Sequence, residues 1–109
     1  MLTAVEALER LKKGNQRFVN GETNHQKLLT HHERAQMAET QEPFAIILGC
    51  SDSRVPAEMV FDQGLGDLFV IRVAGNIVAP SQVGSVEFAV DSFNCPVVIV
   101  LGHTHCGAI

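Results

Sequence analysis

Three short apolar runs limit what this chain can fold into: Phe44-Ala45-Ile46-Ile47-Leu48-Gly49, Leu68-Phe69-Val70-Ile71-Arg72-Val73 and Pro96-Val97-Val98-Ile99-Val100-Leu101. Each has the length of a strand. The first and third carry no polar side chain, as strands buried on both faces do. Pro56 to Phe61 suits a short helix with Pro56 at its first turn. Gly75-Asn76 turns the chain, and Ser81 to Phe93 reads as a helix, apolar at Val83, Val86, Phe88, Ala89, Val90 and Phe93. Strand, helix, strand, helix, strand implies a parallel sheet with helical crossovers. The fold class predicted is therefore α/β, a three-layer and mostly parallel sheet flanked by helices.

The first 40 residues are more charged and carry a different pattern. Residues 3–20 read as an amphipathic helix. Thr3 and Glu6 form its capping box. Leu8, Leu11 and Phe18, with Ala4 and Ala7, lean to one side, and Asn20-Gly21 ends it. A second short helix starts at Thr30, again with a capping pair, Thr30 and Glu33, and stops before Gln41-Glu42-Pro43. A single domain is expected, with a helical arm over 1–40 and a sheet core over 41–109.

Composition narrows the class of function. A length of 109 residues allows one domain, and an apolar fraction of 46% is enough for a core. A net charge of −4 argues against a nucleic-acid surface. No basic amphipathic stretch suggests a membrane surface, and the apolar runs are far too short to span a bilayer. The N-terminus lacks the apolar core of a signal peptide, so a cytoplasmic location is expected. Three cysteines in such a setting suggest metal binding or catalysis before disulfides. The absence of Tyr excludes phenol chemistry.

Chemistry is concentrated immediately after the first and third runs. Cys50-Ser51-Asp52-Ser53-Arg54 follows the first, and His103-Thr104-His105-Cys106 follows the third, 103 − 50 = 53 residues later. Two thiolates and an imidazole are the ligand set of a catalytic zinc with one position open. If the two strands are parallel neighbours, their carboxyl ends meet in the crevice where open α/β sheets place their sites. Cys106 lies three residues past His103, so one turn can present both. One zinc per chain is expected. Zinc lowers the pKa of bound water to ~7, which makes a hydroxide nucleophile available near neutral pH. Asp52 is close enough to fill the open position itself. Paired with the planar fork of Arg54, it is held off the metal and can accept a hydrogen bond from the hydroxide. Hydroxide and carboxylate thus compete for one position, a gate sensitive to pH.

Plainer readings weigh against single residues. A cysteine at a strand end is commonly a small buried hydrophobe, and His-x-x-Cys alone is weak. Three candidate ligands at two strand ends, with Asp-x-Arg beside the first, favour metal. A structural zinc usually has four protein ligands, and a redox pair would show Cys-x-x-Cys. Cys95 reads as core at the far end of the third strand. His105 faces away or reaches solvent. His25, His31 and His32 sit solvated on the arm, with a small chance of a proton relay. Gly64-Leu65-Gly66 is too sparse for a phosphate loop, and Arg72 could as easily make a structural ion pair.

At these motifs the chain resembles the β-class carbonic anhydrases, whose pattern is Cys-x-Asp-x-Arg followed well downstream by His-x-x-Cys. Arg72-Val73-Ala74-Gly75-Asn76, Gly84-Ser85-Val86-Glu87-Phe88-Ala89 and Leu11-Lys12-Lys13-Gly14-Asn15-Gln16-Arg17-Phe18 are similar to the family as well. The resemblance implies reversible hydration of carbon dioxide to bicarbonate and a proton, with zinc on Cys50, His103 and Cys106. It implies Asp52 and Arg54 as the gating dyad. It also implies Gln41 and the backbone N–H of Gly107 as groups that orient the substrate, with Phe69 and Phe88 as apolar pocket walls. Some members carry Tyr where this chain has Phe88. A homodimer or larger homo-oligomer is implied, with the first helix gripping the neighbour. Relatives with the same ligands hydrolyse carbonyl sulfide or carbon disulfide, which is the alternative activity. A non-catalytic zinc-binding module is the other.

The third strand raises an expectation about completeness. With the first strand as its neighbour, its other side has no partner in this sequence, and an open edge is an association hazard. After Cys106 only Gly107-Ala108-Ile109 remain where a helix is expected. The C-terminal part of the family fold is thus expected to be absent here. The chain is expected to associate or to belong to a longer polypeptide, with the apolar stripe of the first helix covered by a neighbouring chain.

Overall fold

A computed structural model describes residues 1–23 and 30–109; His25 lies outside the described residues. The elements are α1 (Ala4–Val19), α2 (His31–Gln36), β1 (Ala45–Gly49), α3 (Ala57–Val60), β2 (Leu68–Arg72), a 3-10 turn (Ala74–Asn76), α4 (Pro80–Phe93) and β3 (Val98–Val100). The strands form one parallel sheet in the order β2-β1-β3. Its register sets Gly49 opposite Arg72 and Leu48 opposite Val100, so all three strands end at the same edge.

β1 is the centre of the core. Every residue from Ala45 to Gly49 is buried. Ala45 and Ile47 pack with Ala7 and Leu11 of α1 and with Ala57, Val60 and Phe61 around α3. Ile46 points the other way, to Ile71, Ala89 and Cys95, with Phe69, Val86 and Phe93 around them. The period-2 alternation of a strand thus feeds two helical layers from one five-residue segment. No helix among the described residues is long and apolar enough to cross a membrane.

α1 begins at the expected capping box, with Thr3 and Glu6 exchanging hydrogen bonds at 2.9 and 3.2 Å, and α2 repeats the device with Thr30 and Glu33. α1 lies on the body of its own chain. Ala7 and Leu11 are buried, whereas Leu8 and Phe18 of the expected stripe remain 36% and 38% exposed. Gly14 makes the close approach possible, because a Cβ there would sit 1.7 Å from the Phe61 carbonyl oxygen. Asn15 Nδ2 donates to the Val60 carbonyl at 2.9 Å, and Arg17 Nε to Asp62 Oδ2 at 2.5 Å. α1 therefore caps the end of α3 at the Val60 carbonyl, while the carbonyls of Ala57, Glu58 and Met59 accept from the backbone N–H groups of Phe61, Gln63 and Asp62.

β3 pairs with β1 and leaves its other side open among the described residues, as expected. At Val98–Val100 it is shorter than its apolar run, and it stands at the edge of the described sheet. Val98 and Val100 are 42% and 61% exposed, whereas Val97, Ile99 and Leu101 pack on the core. Hydrogen bonds to β1 continue past its ends, from Ile46 N to the Val97 carbonyl and from Leu101 N to the Leu48 carbonyl. One face and one edge are thus covered; the other edge has no strand beside it among the described residues.

Candidate metal centre

The loops that leave β1 and β3 build the site. Past Gly49, the β1–β2 ladder runs one step further, from Val73 N to the Gly49 carbonyl and from Ser51 N to the Val73 carbonyl. Asp52 then folds the chain over itself. Its Oδ1 accepts from the Arg54 backbone N–H at 2.8 Å, a side-chain turn typical of Asp. After β3, His105 takes a left-handed conformation (φ 56°), a state that L-residues other than Gly seldom adopt. That bend brings His103 and Cys106 to one side.

Cys50 Sγ and Cys106 Sγ lie 3.8 Å apart. With a His103 ring nitrogen, all three ligand atoms fall within 4.8 Å of one another. Two sulfurs each ~2.3 Å from a tetrahedral ion would be about 3.8 Å apart, so the spacing fits zinc. His103 supplies a second test. Its Nδ1 faces the Thr104 carbonyl at 2.8 Å and must donate to it. Nε2 is then an acceptor, and it is buried with no hydrogen-bond partner. A buried polar atom without a partner is costly, and a metal ion provides one; a ligating histidine usually donates its other ring N–H to a carbonyl or carboxylate, as Nδ1 does here.

Electrostatics point the same way. The His103 ring, then the Gly75 N–H at 3.3 Å from Sγ, pull the Cys50 thiol down to about 6. Cys50 in turn raises the His103 ring above its usual value. Arg54 grips Asp52 by Nε to Oδ1 at 2.9 Å and Nη2 to Oδ2 at 2.7 Å. Those bonds hold the Asp52 carboxyl well below the usual carboxylate range. Asp52 Oδ2 stands 4.0 Å from His103 Nε2. Arg54 Nη2 also donates to the His105 carbonyl at 3.0 Å, which ties the two loops together.

The remaining expected residues are spread out. Gly107 follows Cys106 directly, with open space around its α-carbon. Gln41, Phe69 and Phe88 are not brought to the ligand cluster of their own chain. Gln41 precedes β1, and the ligands follow it, with about 13 Å of strand between at ~3.3 Å per residue. Gln41 lines a cleft of about 540 Å³ with Arg34, Met37, Leu65 and Phe93. The Phe93 ring lies tilted at 5.8 Å from that of Phe69 and edge-on at 5.7 Å from that of Phe88, so the three residues form one cluster. Phe88 is 54% exposed. His31 and His32 are exposed on α2, and His105 is exposed beside the site. Cys95 is buried at the opposite end of the sheet, its thiol donating to the Pro43 carbonyl at 3.2 Å.

Two contributors escaped sequence reasoning. Gly75 presents its N–H to Cys50 from a left-handed backbone (φ 76°). Arg72 makes no ion pair with a described residue; it donates to main-chain carbonyls of the Cys50 loop. The available signal was position: Arg72 closes β2 and Gly75 follows it, and the carboxyl end of β2 must lie beside that of β1.

The chain is similar in sequence and fold to known carbonic anhydrases. The sequence profile described as carbonic anhydrase matches residues 45–109. "Carbonic anhydrase 2" of Mycobacterium tuberculosis is 50% identical over 105 residues, covering 96% of this chain and 50% of that protein. A tetrameric β-carbonic anhydrase of the ascomycete Sordaria macrospora superposes with a TM-score of 0.65 at 34% identity, over 70% of this chain and 40% of that one. A carbon disulfide hydrolase in its apo form superposes with a TM-score of 0.56 at 27% identity, over 92% of this chain and 41% of that one. The chain belongs to the β-class carbonic anhydrase family. It spans about half the length, or less, of the curated relatives it matches.

Proposed function

We propose that this chain carries the zinc centre of a carbonic anhydrase and works in the reversible hydration of carbon dioxide to bicarbonate and a proton. The observation that carries the reading is the convergence of Cys50, Cys106 and the unpartnered Nε2 of His103 beside an Asp52 held aside by Arg54. Zinc on those three residues would supply Lewis acidity that turns water into a nucleophile near neutral pH. Asp52, kept ionised by Arg54, accepts a hydrogen bond from the reacting water and orients it. The Gly107 N–H offers a donor to the substrate oxygen.

Gln41, Phe69 and Phe88 complete the site from a second copy, because they lie at the far end of their own sheet. The working unit is then a homodimer or a larger assembly. The exposed Phe88, Val83 and Val90 of α4 and the exposed Val5 and Val19 of α1 are apolar surface that such an assembly covers.

Likeness to a carbon disulfide hydrolase favours one second reading, hydrolysis of carbon disulfide or carbonyl sulfide on the same ligands. Stopped-flow measurement of carbon dioxide hydration by the zinc-loaded chain, with both sulfur substrates in parallel and molar mass by ultracentrifugation, separates the readings. Hydration abolished by Cys50→Ser supports the proposal. Turnover of the sulfur substrates alone supports the second reading. Zinc bound stoichiometrically with no turnover of any of them leaves a non-catalytic zinc module.

A further inference from the structure

We propose that Arg72 is a positioning residue for the Asp52 carboxylate, acting through the main chain of the Cys50 loop; the inference rests on the zinc-centre reading above. Arg72 closes β2 opposite Gly49. Its Nε donates to the Cys50 carbonyl at 2.8 Å and its Nη2 to the Asp52 carbonyl at 2.6 Å. One planar guanidinium thus spans two peptide planes that are two residues apart. Both lie in the segment that presents one metal ligand and the carboxylate.

That segment has few other ties. Among the described residues the ladder reaches it through Ser51 N, at 3.3 Å from the Val73 carbonyl; the Gly75 N–H meets Cys50 Sγ at 3.3 Å, and the Asp52 carbonyl also accepts from the Val55 N–H at 3.3 Å, a bond inside the same turn. Arg54 cannot take over, because most of its grip on Asp52 comes from inside the same turn: its own backbone N–H and its own side chain bind that carboxylate. Asp52 and Arg54 can therefore swing as a unit unless something outside the turn fixes it. The His105 carbonyl holds one end through Arg54; Arg72 holds the other. With Arg72 shortened, the peptide planes at Cys50 and Asp52 turn toward water, and the direction of the Asp52 Cα–Cβ bond changes. Displacing a reacting group by about 1 Å costs on the order of 100-fold in rate. Cys50, His103 and Cys106 keep their own side-chain chemistry, so metal binding persists.

The test compares Arg72→Gln and Arg72→Lys with the parent chain. Zinc content and the thermal midpoint are expected to stay close to the parent. For Arg72→Gln, kcat falls roughly 10- to 100-fold with KM changed by less than about twofold. Arg72→Lys, which reaches one carbonyl at a time, falls less. Cobalt-loaded protein gives a readout that needs no turnover. The visible spectrum of Arg72→Gln differs from the parent, and that of Arg72→Gln/Asp52→Asn coincides with Asp52→Asn alone. If the parent itself hydrates no carbon dioxide, the cobalt spectra still decide the positioning role, so the two readings fail separately. Parent-like kcat and cobalt spectra in Arg72→Gln would overturn the proposal. So would variants that both lose zinc or fold in proportion to activity, since Arg72 would then be a structural residue only.

Discussion

Arg54 holds Asp52 by two parallel hydrogen bonds, at 2.9 and 2.7 Å, and spends a further N–H of the same nitrogen on the His105 carbonyl. Removing Arg54 therefore loosens two loops and releases one carboxylate. For Arg54→Ala we expect kcat/KM to fall about 100-fold or more, and zinc content to fall much less. Arg54→Lys should recover little, because an ammonium cannot form the bidentate pair. Stopped-flow kinetics and metal analysis on the same samples check this.

Zinc should be found at one ion per chain in the parent, and well below that in Cys50→Ser, His103→Ala and Cys106→Ser. Those residues supply the converging ligand atoms, and two remaining ligands do not make a zinc site. Chelator treatment should remove the ion and lower the thermal midpoint, because ligands that assemble only in the folded chain couple binding to folding. Elemental analysis and calorimetry read both. A chelated sample with an unchanged midpoint would contradict the coupling.

In metal-free protein, Cys50 should react with iodoacetamide with a midpoint near pH 6, since its value is lowered from 9.0 to about 6. The sign follows from linkage. A thiol depressed on folding contributes stability that is fully present above its ordinary value and lost as pH falls through about 6. Metal-free protein should therefore lose stability on acidification across that range. His103→Ala should move the midpoint upward. Cys95, whose thiol burial pushes up, should remain unreactive.

Gly14→Ala tests the seat of α1. The added Cβ would collide with the Phe61 carbonyl oxygen at 1.7 Å. Backbone cannot yield as a flexible side chain can, so a loss at or above the usual ~1–3 kcal/mol of overpacking is expected. Gly84→Ala, on the surface of α4 with open space around it, should be neutral or slightly stabilising, since Ala is the better helix former. Chemical denaturation of both variants gives the comparison.

Most of the architecture could be read from the chain because its signals are local. Capping pairs at Thr3 and Thr30 and the apolar run of β1 each act within a few residues. The proposed ligands could be read because thiolate and imidazole announce their chemistry by residue type. Arg72 and Gly75 could not, since they act through carbonyls and an N–H that every residue possesses. Gln41, Phe69 and Phe88 were singled out by the family resemblance alone, and only the parallel register shows that the length of the sheet separates them from Cys50. The open side of β3 could be read too, because Cys50 and His103 meet only if β1 and β3 are neighbours; its shortening to Val98–Val100 could not, since the apolar run extends past both ends.

The parallel order of β1 and β3 also governs when the metal could be captured during synthesis. Cys50 leaves the ribosome 106 − 50 = 56 residues before Cys106. Until β3 has docked beside β1, the early thiol has no second sulfur beside it. A crossover of that length must close against chain entropy before any ligand pair is rewarded. Ion uptake is then a post-assembly event, and a nascent chain arrested before Gly102 should bind no zinc at Cys50, however much is supplied.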